Sequence, residues 1–426
     1  MNPRTCLLES FRAAVSAADP AHIVPHYLPD SSGLPAGRTF VAGAGKASAA
    51  MALALEKNWP ENRTLDGIVI TRYGHLLPMH RIKVIEAGHP LPDHQGMQAA
   101  QTMLEQIKRL SEQDLLLCLF SGGGSSLLTL PLAGIALSDL QEMTKQLLQC
   151  GASIQEINTV RKHVSSIQGG RLAAACKASV RALIISDVTG DDPTHIASGP
   201  CAPDPTHFSD ALAVLERYHL NVPSSIQNIL KAGSLYQLDE TPKPGSAIFK
   251  RVENLVIASA HQSLVAAKDY FQAMNMHALI LGDTVTGEAR EVAKVYAALI
   301  KEIRQYPDLL KPPIALLSGG ETTVTLKGDG RGGRNSEFLL SLLIALNGQE
   351  GVFALACDTD GVDGSENNAG AMITPDSLTR AQNAGIQADV FLADNNAYSF
   401  FEKLGDLVIT GPTHTNVNDY RAILVL

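Results

Sequence analysis

Three features of the chain predict a two-domain α/β protein. Short apolar runs ending in glycine, serine or aspartate recur along it, helical patterns separate them, and one proline-rich break, Asp239-Glu240-Thr241-Pro242-Lys243-Pro244-Gly245-Ser246, divides it. Apolar runs of roughly four to eight residues read as buried strands, and their alternation with helices is the pattern of parallel sheets with crossover helices. At 426 residues the chain also exceeds what one hydrophobic core usually serves.

In order, Thr39 to Ala42 reads as a strand and Ala47 to Lys57 as a helix. Gly67 to Thr71 is the next strand, and His94 to Arg109 is helical. Leu115 to Phe120 is a buried strand, followed by a helix over Leu137 to Cys150 and strands at Ala182 to Ile185 and Leu255 to Ala258. Gln262 to Met274 and Gly287 to Arg304 are helical. Pro312-Pro313 introduces a strand over Ile314 to Leu317. The break near Pro244 sets the expected domains at 1–244 and 245–426.

Composition narrows the function. Hydrophobic residues make up 45% and charged residues 18%, as in a globular chain rather than a disordered one. A net charge of -9 argues against a nucleic-acid partner, which needs a broad basic face. No apolar run reaches the roughly 18 residues of a membrane helix, and the N-terminal segment lacks the apolar core of a secretory signal. A cytoplasmic protein, monomer or homodimer, is expected. Its six cysteines are scattered, without metal-site spacing, and read as reduced packing residues. Any anionic ligand must then meet local positive charge.

Such charge lies just after predicted strands, where open α/β sheets bind ligands. In Ala42-Gly43-Ala44-Gly45-Lys46-Ala47-Ser48, Gly43 and Gly45 expose backbone N–H groups at a helix start and Lys46 adds a point charge, as at an anion site. It is no Walker A loop, because Phe40 stands where the first glycine belongs and Ala47 follows the lysine. Nor is it a full dinucleotide fingerprint: Ser48 replaces the third glycine, and Arg72, not an acid, ends the next strand. The run Ser121-Gly122-Gly123-Gly124-Ser125-Ser126 has amides and hydroxyls suited to an oxyanion, and its consecutive glycines imply close backbone approach to a ligand. Arg161 and Lys162 add positive charge, with a solvated helix face as the competing reading.

Ser186-Asp187-Val188-Thr189-Gly190-Asp191-Asp192 through Ser198-Gly199-Pro200 places carboxylates at a strand end. Asp187 is the candidate general base or metal partner and Asp191 a second metal candidate, since Mg²⁺ keeps several waters and takes one or two protein carboxylates. Asp191 and Asp192 also suit turn and capping roles. Ser318-Gly319-Gly320-Glu321-Thr322 is followed by the cationic, glycine-rich Lys327-Gly328-Asp329-Gly330-Arg331-Gly332-Gly333-Arg334-Asn335, which reads as a phosphate-holding loop entering a helix. Asp358-Thr359-Asp360-Gly361 alternates acids like a calcium loop but has Ala369 where the twelfth-position glutamate belongs. Thr413-His414-Thr415-Asn416-Val417-Asn418-Asp419 adds polar groups near the end.

Taken together and in this order, the Gly43–Lys46, Ser121–Ser125, Val160–His163, Ser186–Pro200, Ser318–Thr322, Gly332–Asn335, Asp358–Gly361 and Thr413–Asp419 motifs resemble the glycerate 2-kinase family, whose C-terminal part is called the MOFRL domain. The resemblance covers nearly the whole chain. It implies a Rossmann-like N-terminal domain and a smaller C-terminal α/β domain, both three-layered, with the active site in the cleft between them. It also implies ATP and D-glycerate as substrates, 2-phosphoglycerate as product and Mg²⁺ or a similar divalent ion. The catalytic lysine and arginine of the family fall on Lys46 and Arg334. Nucleotide- or substrate-binding roles are expected for Gly43, Gly45, Ser121, Gly122, Gly123, Gly124, Ser125, Arg161, Lys162, Ser198, Glu321, Gly332, Gly333, Asn335, Asp360 and Asn416. One departure is visible: the family usually reads Arg-Asn-Gln-Glu, and here Ser336 stands in place of the glutamine. Related sequences also carry the label hydroxypyruvate reductase, an alternative that would need a nicotinamide site.

Overall fold

In the computed structural model, which describes residues 2–30, 33–307 and 310–426, the chain forms two compact units. One is Pro20–Ile257, and the other joins Met1–Asp19 to Ala258–Leu426.

The sheet of the Pro20–Ile257 unit contains β1 (Thr39–Ala44), β2 (Leu65–Arg72), β3 (Ile82–Ala87), β4 (Leu115–Phe120), β5 (Ser179–Ile185) and β6 (Val252–Ala258), in the order β3-β2-β1-β4-β5-β6. β1 to β5 pair in parallel. Phe40, Ala42 and Ala44 of β1 and Leu116, Cys118 and Phe120 of β4 share a core with Ala99, Ala100, Met103 and Ile107 of the helix His94–Ile107. The intervening residues of both strands are buried as well, which is why these segments are apolar without alternation. The chain runs from β1 outward to β3, then returns to β4 on the other side of β1, so a crevice opens at the carboxyl ends of β1 and β4.

The second sheet holds β7 (His277–Glu288), β8 (Ile314–Thr323), β9 (Val352–Asp358), β10 (Gly370–Ile373), β11 (Leu407–Val408) and β12 (Asp419–Val425), ordered β11-β10-β9-β12-β8-β7. Only β7 and β8 pair in parallel; the pairs made by β12 with β8 and β9, and by β10 with β9 and β11, are antiparallel. The alternation of strands and helices predicted parallel pairing here too. It fails because β12, arriving last, inserts between β8 and β9 in the opposite direction, and because β10 runs opposite to both β9 and β11. Ser318-Gly319-Gly320-Glu321, read as a loop after a strand, lies inside β8 opposite Tyr420 and Asp419. The helix Pro3–Ser16 contributes Cys6, Leu7, Phe11 and Ala14 to a core with Leu264, Ala267 and Phe271 of the helix Ala260–Ala273 and with Tyr420, Ala422 and Leu424 of β12.

The sequence break at Pro244 precedes the crossover between units. β6 closes the first sheet beside β5 before the chain departs at Ile257. Among the described residues no helix is long and apolar enough to cross a membrane.

Candidate active site

In the Pro20–Ile257 unit the loops after β1, β4 and β5 gather at the strand-end crevice. The β1 loop is fastened to the β4 loop: Lys46 N–H donates to Gly122 O at 2.9 Å, and Ala47 N–H donates to Ser121 Oγ at 2.9 Å. Gly45 has φ +142°, and a side chain there would overlap Ser121 Oγ and lie 2.6 Å from Ser121 O. No other residue fits both requirements. Gly43 serves packing instead, since a Cβ would meet Leu119 O at 2.8 Å and Val69 Cγ1 at 2.9 Å. Ser48 is buried and donates through Oγ toward Gly45 O and Ile70 O, both at 2.8 Å. It closes the turn by hydrogen bonding where a dinucleotide fingerprint would need glycine.

Gly123, at φ +79°, leaves no room for a Cβ beside the His89 ring, and at Gly124 one would stand 2.6 Å from Ala197 Cβ. Ser121 N–H donates to Ala44 O and Gly124 N–H to Ser121 O. The Gly122 and Gly123 N–H groups have no acceptor among the described residues. Ser121 itself is a fastener, because its hydroxyl already accepts from Ala47.

Ser125 and Ser198 hydroxyls are 2.8 Å apart. Ser198 Oγ also lies 3.0 Å from Asn158 Oδ1, and Asn158 Nδ2 donates to His195 O at 2.9 Å. This chain ties the glycine loop to the helix Ile154–His163, which carries Arg161. Ser198 is fully buried and acts through that network. Ala197 and Ser198, at φ +51° and +58°, hold left-handed conformations that non-glycine residues seldom adopt. Arg161 lines a cavity with Ser125, Ser126, Thr129, Ser165 and Gln168. Lys162, one residue on, faces the other way: it is fully buried, with Nζ 3.4 Å from Asp204 Oδ1. Asp204 also accepts from Thr206 N–H, Thr206 Oγ1 and Thr241 Oγ1. Burial alone would raise the Asp204 carboxyl, but Lys162, the Thr206 bonds and His163 outweigh it and hold it below the usual range. The expected ligand contact at Lys162 is therefore a structural ion pair.

Asp187 is half-buried just beyond β5. Asp191 lies in the following turn at φ +54°, and Asp192 Oδ1 accepts from Thr194 N–H at 2.9 Å, so the latter is a turn residue.

In the other unit, Arg334 meets three carboxylates. Its Nε bonds Asp419 Oδ1 at 2.8 Å, Nη1 bonds Glu321 Oε1 at 2.8 Å and Nη2 bonds Asp358 Oδ2 at 2.9 Å. Burial would lower its pKa, but these carboxylates outweigh it and keep the guanidinium charged. Asn335 Nδ2 and the buried Arg421 also hold Asp419, at 2.8 and 2.6 Å. The helix Arg334–Leu346 starts on Gly333, where a Cβ would stand 2.5 Å from Asp363 Cγ. Its first N–H groups are already capped: Asp363 accepts from Asn335 N–H at 2.9 Å and from Ser336 N–H at 2.8 Å. The helix start that sequence presents as a phosphate cradle is thus filled by the chain's own carboxylate. Ser336 Oγ donates to the same carboxylate at 2.6 Å, so the departure at this position is absorbed locally.

The preceding glycines pack likewise. Lys327 and Gly328 N–H donate to Asn395 Oδ1, Gly330 N–H to Asp394 O and Arg331 N–H to Asn396 Oδ1. Arg331 pairs with Glu366 and stacks on Tyr398. Gly332, at φ +152°, approaches Tyr398 N. Asp360 Oδ1 accepts from Val362 N–H at 2.9 Å, Thr413 N–H donates to Asp360 O at 3.1 Å, and Asn416 Oδ1 accepts from Asn418 N–H at 3.3 Å. The polar C-terminal segment therefore does close on the Asp358–Asp360 turn, as a structural scaffold around Arg334.

Residues 6–231 match a family described as "Domain of unknown function (DUF4147)", and residues 314–419 match the MOFRL family. The glycerate 2-kinase of Pyrococcus horikoshii is 40% identical over 91% of this chain and 88% of its own length. The crystal structure of a glycerate kinase from Thermotoga maritima superposes with a TM-score of 0.87 at 38% identity, covering 99% of each chain. The chain belongs to the glycerate 2-kinase family. A protein of Agrobacterium vitis, provisionally named hydroxypyruvate reductase, is 47% identical over 100% of this chain and 95% of its own length.

Within this glycerate 2-kinase family member, Asn158, Gln168 and Asp204 support the loops of the Pro20–Ile257 unit, and Asp363 and Arg421 support the Arg334 segment of the other, without having stood out in the sequence. Asn158 carried the one readable signal, lying a helical turn before Arg161. The others act across long sequence separations.

Proposed function

We propose that the protein is a glycerate 2-kinase, transferring the γ-phosphoryl group of ATP to the 2-hydroxyl of D-glycerate and yielding ADP, 2-phosphoglycerate and a proton. The observation that carries this reading is the fastened pair of loops at the β1/β4 crevice of a Rossmann-like sheet, with Lys46 at its mouth and the Gly122 and Gly123 N–H groups beside it. Fixed donors of this kind stabilise charge that develops in transfer, and phosphoryl transfer depends on positioning and neutralisation more than on covalent work by the protein. Lys46 would meet phosphate oxygens, and Asp187 would serve the 2-hydroxyl as general base or as the partner of the metal ion. Arg334, caged by three carboxylates, would hold the geometry of the second unit's acidic turn.

Among the described residues no three His, Cys, Asp or Glu side chains converge on a metal position. Mg²⁺ carried in with ATP needs no such cage; Asp187, just beyond β5, and Asp191, in the following turn, are the carboxylates that would hold it. The ion would neutralise phosphate charge. The scattered spacing of the six cysteines, with no paired or metal-site pattern, fits a reducing, cytoplasmic setting.

The test is ADP release from ATP, Mg²⁺ and D-glycerate, with the product coupled to enolase in the absence of a mutase. Signal in both readings supports a 2-kinase. ADP without enolase turnover moves the phosphoryl group to another position, and NADPH oxidation by hydroxypyruvate in place of ADP release overturns the proposal in favour of a reductase.

A further inference from the structure

Arg161, half-buried on the helix Ile154–His163, stands apart from the other cations described above. Lys162 has Asp204, Arg334 has three carboxylates and Arg421 has Asp419. Among the described residues Arg161 has neither an ion pair nor a side-chain hydrogen bond, and burial unopposed by any acid pulls its pKa down to about 10. A guanidinium partly removed from water and given no partner is incompletely solvated, and an anionic ligand would complete it. The surroundings show what kind of ligand. The cavity beside Arg161 is about 20 Å³ and polar on one side, with Ser125, Thr129 and Gln168. Room for one water takes roughly 10–15 Å³, so the space suits the oxygens of a small acid group and not a polyphosphate. Gln168 is held by bonds to Ser125 O and Leu128 O at 2.7 and 3.0 Å, so the cavity wall belongs to the same loop that meets Lys46.

We propose that Arg161 is the residue that recognises the carboxylate of the substrate, its planar fork gripping both oxygens while the Ser125–Ser198–Asn158 hydrogen bonds hold loop and helix in register. This rests on the kinase reading and adds to it. The glycine loop with Lys46 takes phosphate, and the Arg161 cavity takes the carboxylate, so the enzyme selects small 2-hydroxy acids over the corresponding polyols and amides.

The experiment compares wild type, Arg161→Met and Arg161→Lys in turnover and in calorimetric binding of D-glycerate. Losing a bidentate charged contact is worth roughly 100-fold in affinity. Arg161→Met is therefore expected to raise the glycerate KM about that much, to leave the ATP KM unchanged, and to erase the preference for glycerate over glyceramide, with Arg161→Lys in between. Because the charge has no partner, Arg161→Met should melt at or above the wild-type temperature, and D-glycerate should raise the Tm of wild type only. Unchanged glycerate binding in Arg161→Met, or a lowered Tm with an unchanged KM, overturns the assignment while leaving the kinase reading intact. Wild-type binding without turnover overturns the kinase reading alone, and the binding comparison still decides Arg161. Absence of both in wild type overturns both.

Discussion

Replacing Lys162 by Met tests whether this cation serves ligand or fold. Its Nζ lies 3.4 Å from Asp204 Oδ1 with both side chains buried. At an effective dielectric of about 20, that separation corresponds to about 5 kcal/mol of attraction. Methionine fills the same volume but strands a buried carboxylate, and breaking such a pair costs about 3–5 kcal/mol. Asp204 keeps the Thr206 and Thr241 donors, and His163 Nε2 is 3.9 Å away, so the lower end, about 3 kcal/mol, is expected. For a unit of this size that lowers Tm by about 6–12 °C. Thermal unfolding by circular dichroism reads the loss, and steady-state kinetics well below the transition should give wild-type KM values for ATP and glycerate. An unchanged Tm with a raised KM would refute the structural role and return Lys162 to the binding site.

Gly45→Ala should cut turnover at least tenfold, because φ +142° and the neighbouring Ser121 carbonyl force the Lys46 loop to move; wild-type kcat in a folded variant would show the loop is not required. Arg334→Lys should lose about 2–4 kcal/mol, since one ammonium cannot serve Glu321, Asp358 and Asp419 together, and urea titration would expose an unaltered midpoint if it does not. Acid should also report on Asp204. Its folded pKa is depressed, so the pair's contribution is complete above the ordinary aspartate range near about 4 and is lost as pH falls through the lower folded value. Lys162→Met should flatten that part of the pH–stability curve, and identical acid curves for the two proteins would contradict it.

Local signals reached far in the first unit and less far in the second. Leu115–Phe120 is bounded as its apolar run suggests, and the strand-end positions of Lys46, Ser121 and Asp187 follow from where apolar runs stop. Those are consequences of near neighbours in the chain. The glycines at 328 and 330 misled because their reason lies at Asp394 and Asn396, and Arg334 reads as an available cation until Asp358 and Asp419 are brought to it. Sequence shows charge and backbone freedom directly, but it does not show which distant carboxylate has already claimed them.

The helix Pro3–Ser16 is separated in the chain from both of its packing partners, the helix Ala260–Ala273 and β12. During translation it therefore emerges before the entire Pro20–Ile257 unit and waits, with Leu7 and Phe11 uncovered, on the order of tens of seconds for the segments that bury them. A ribosome pausing late in this message would hold that apolar face open to chaperones and to neighbouring nascent chains, however well the first sheet had already formed.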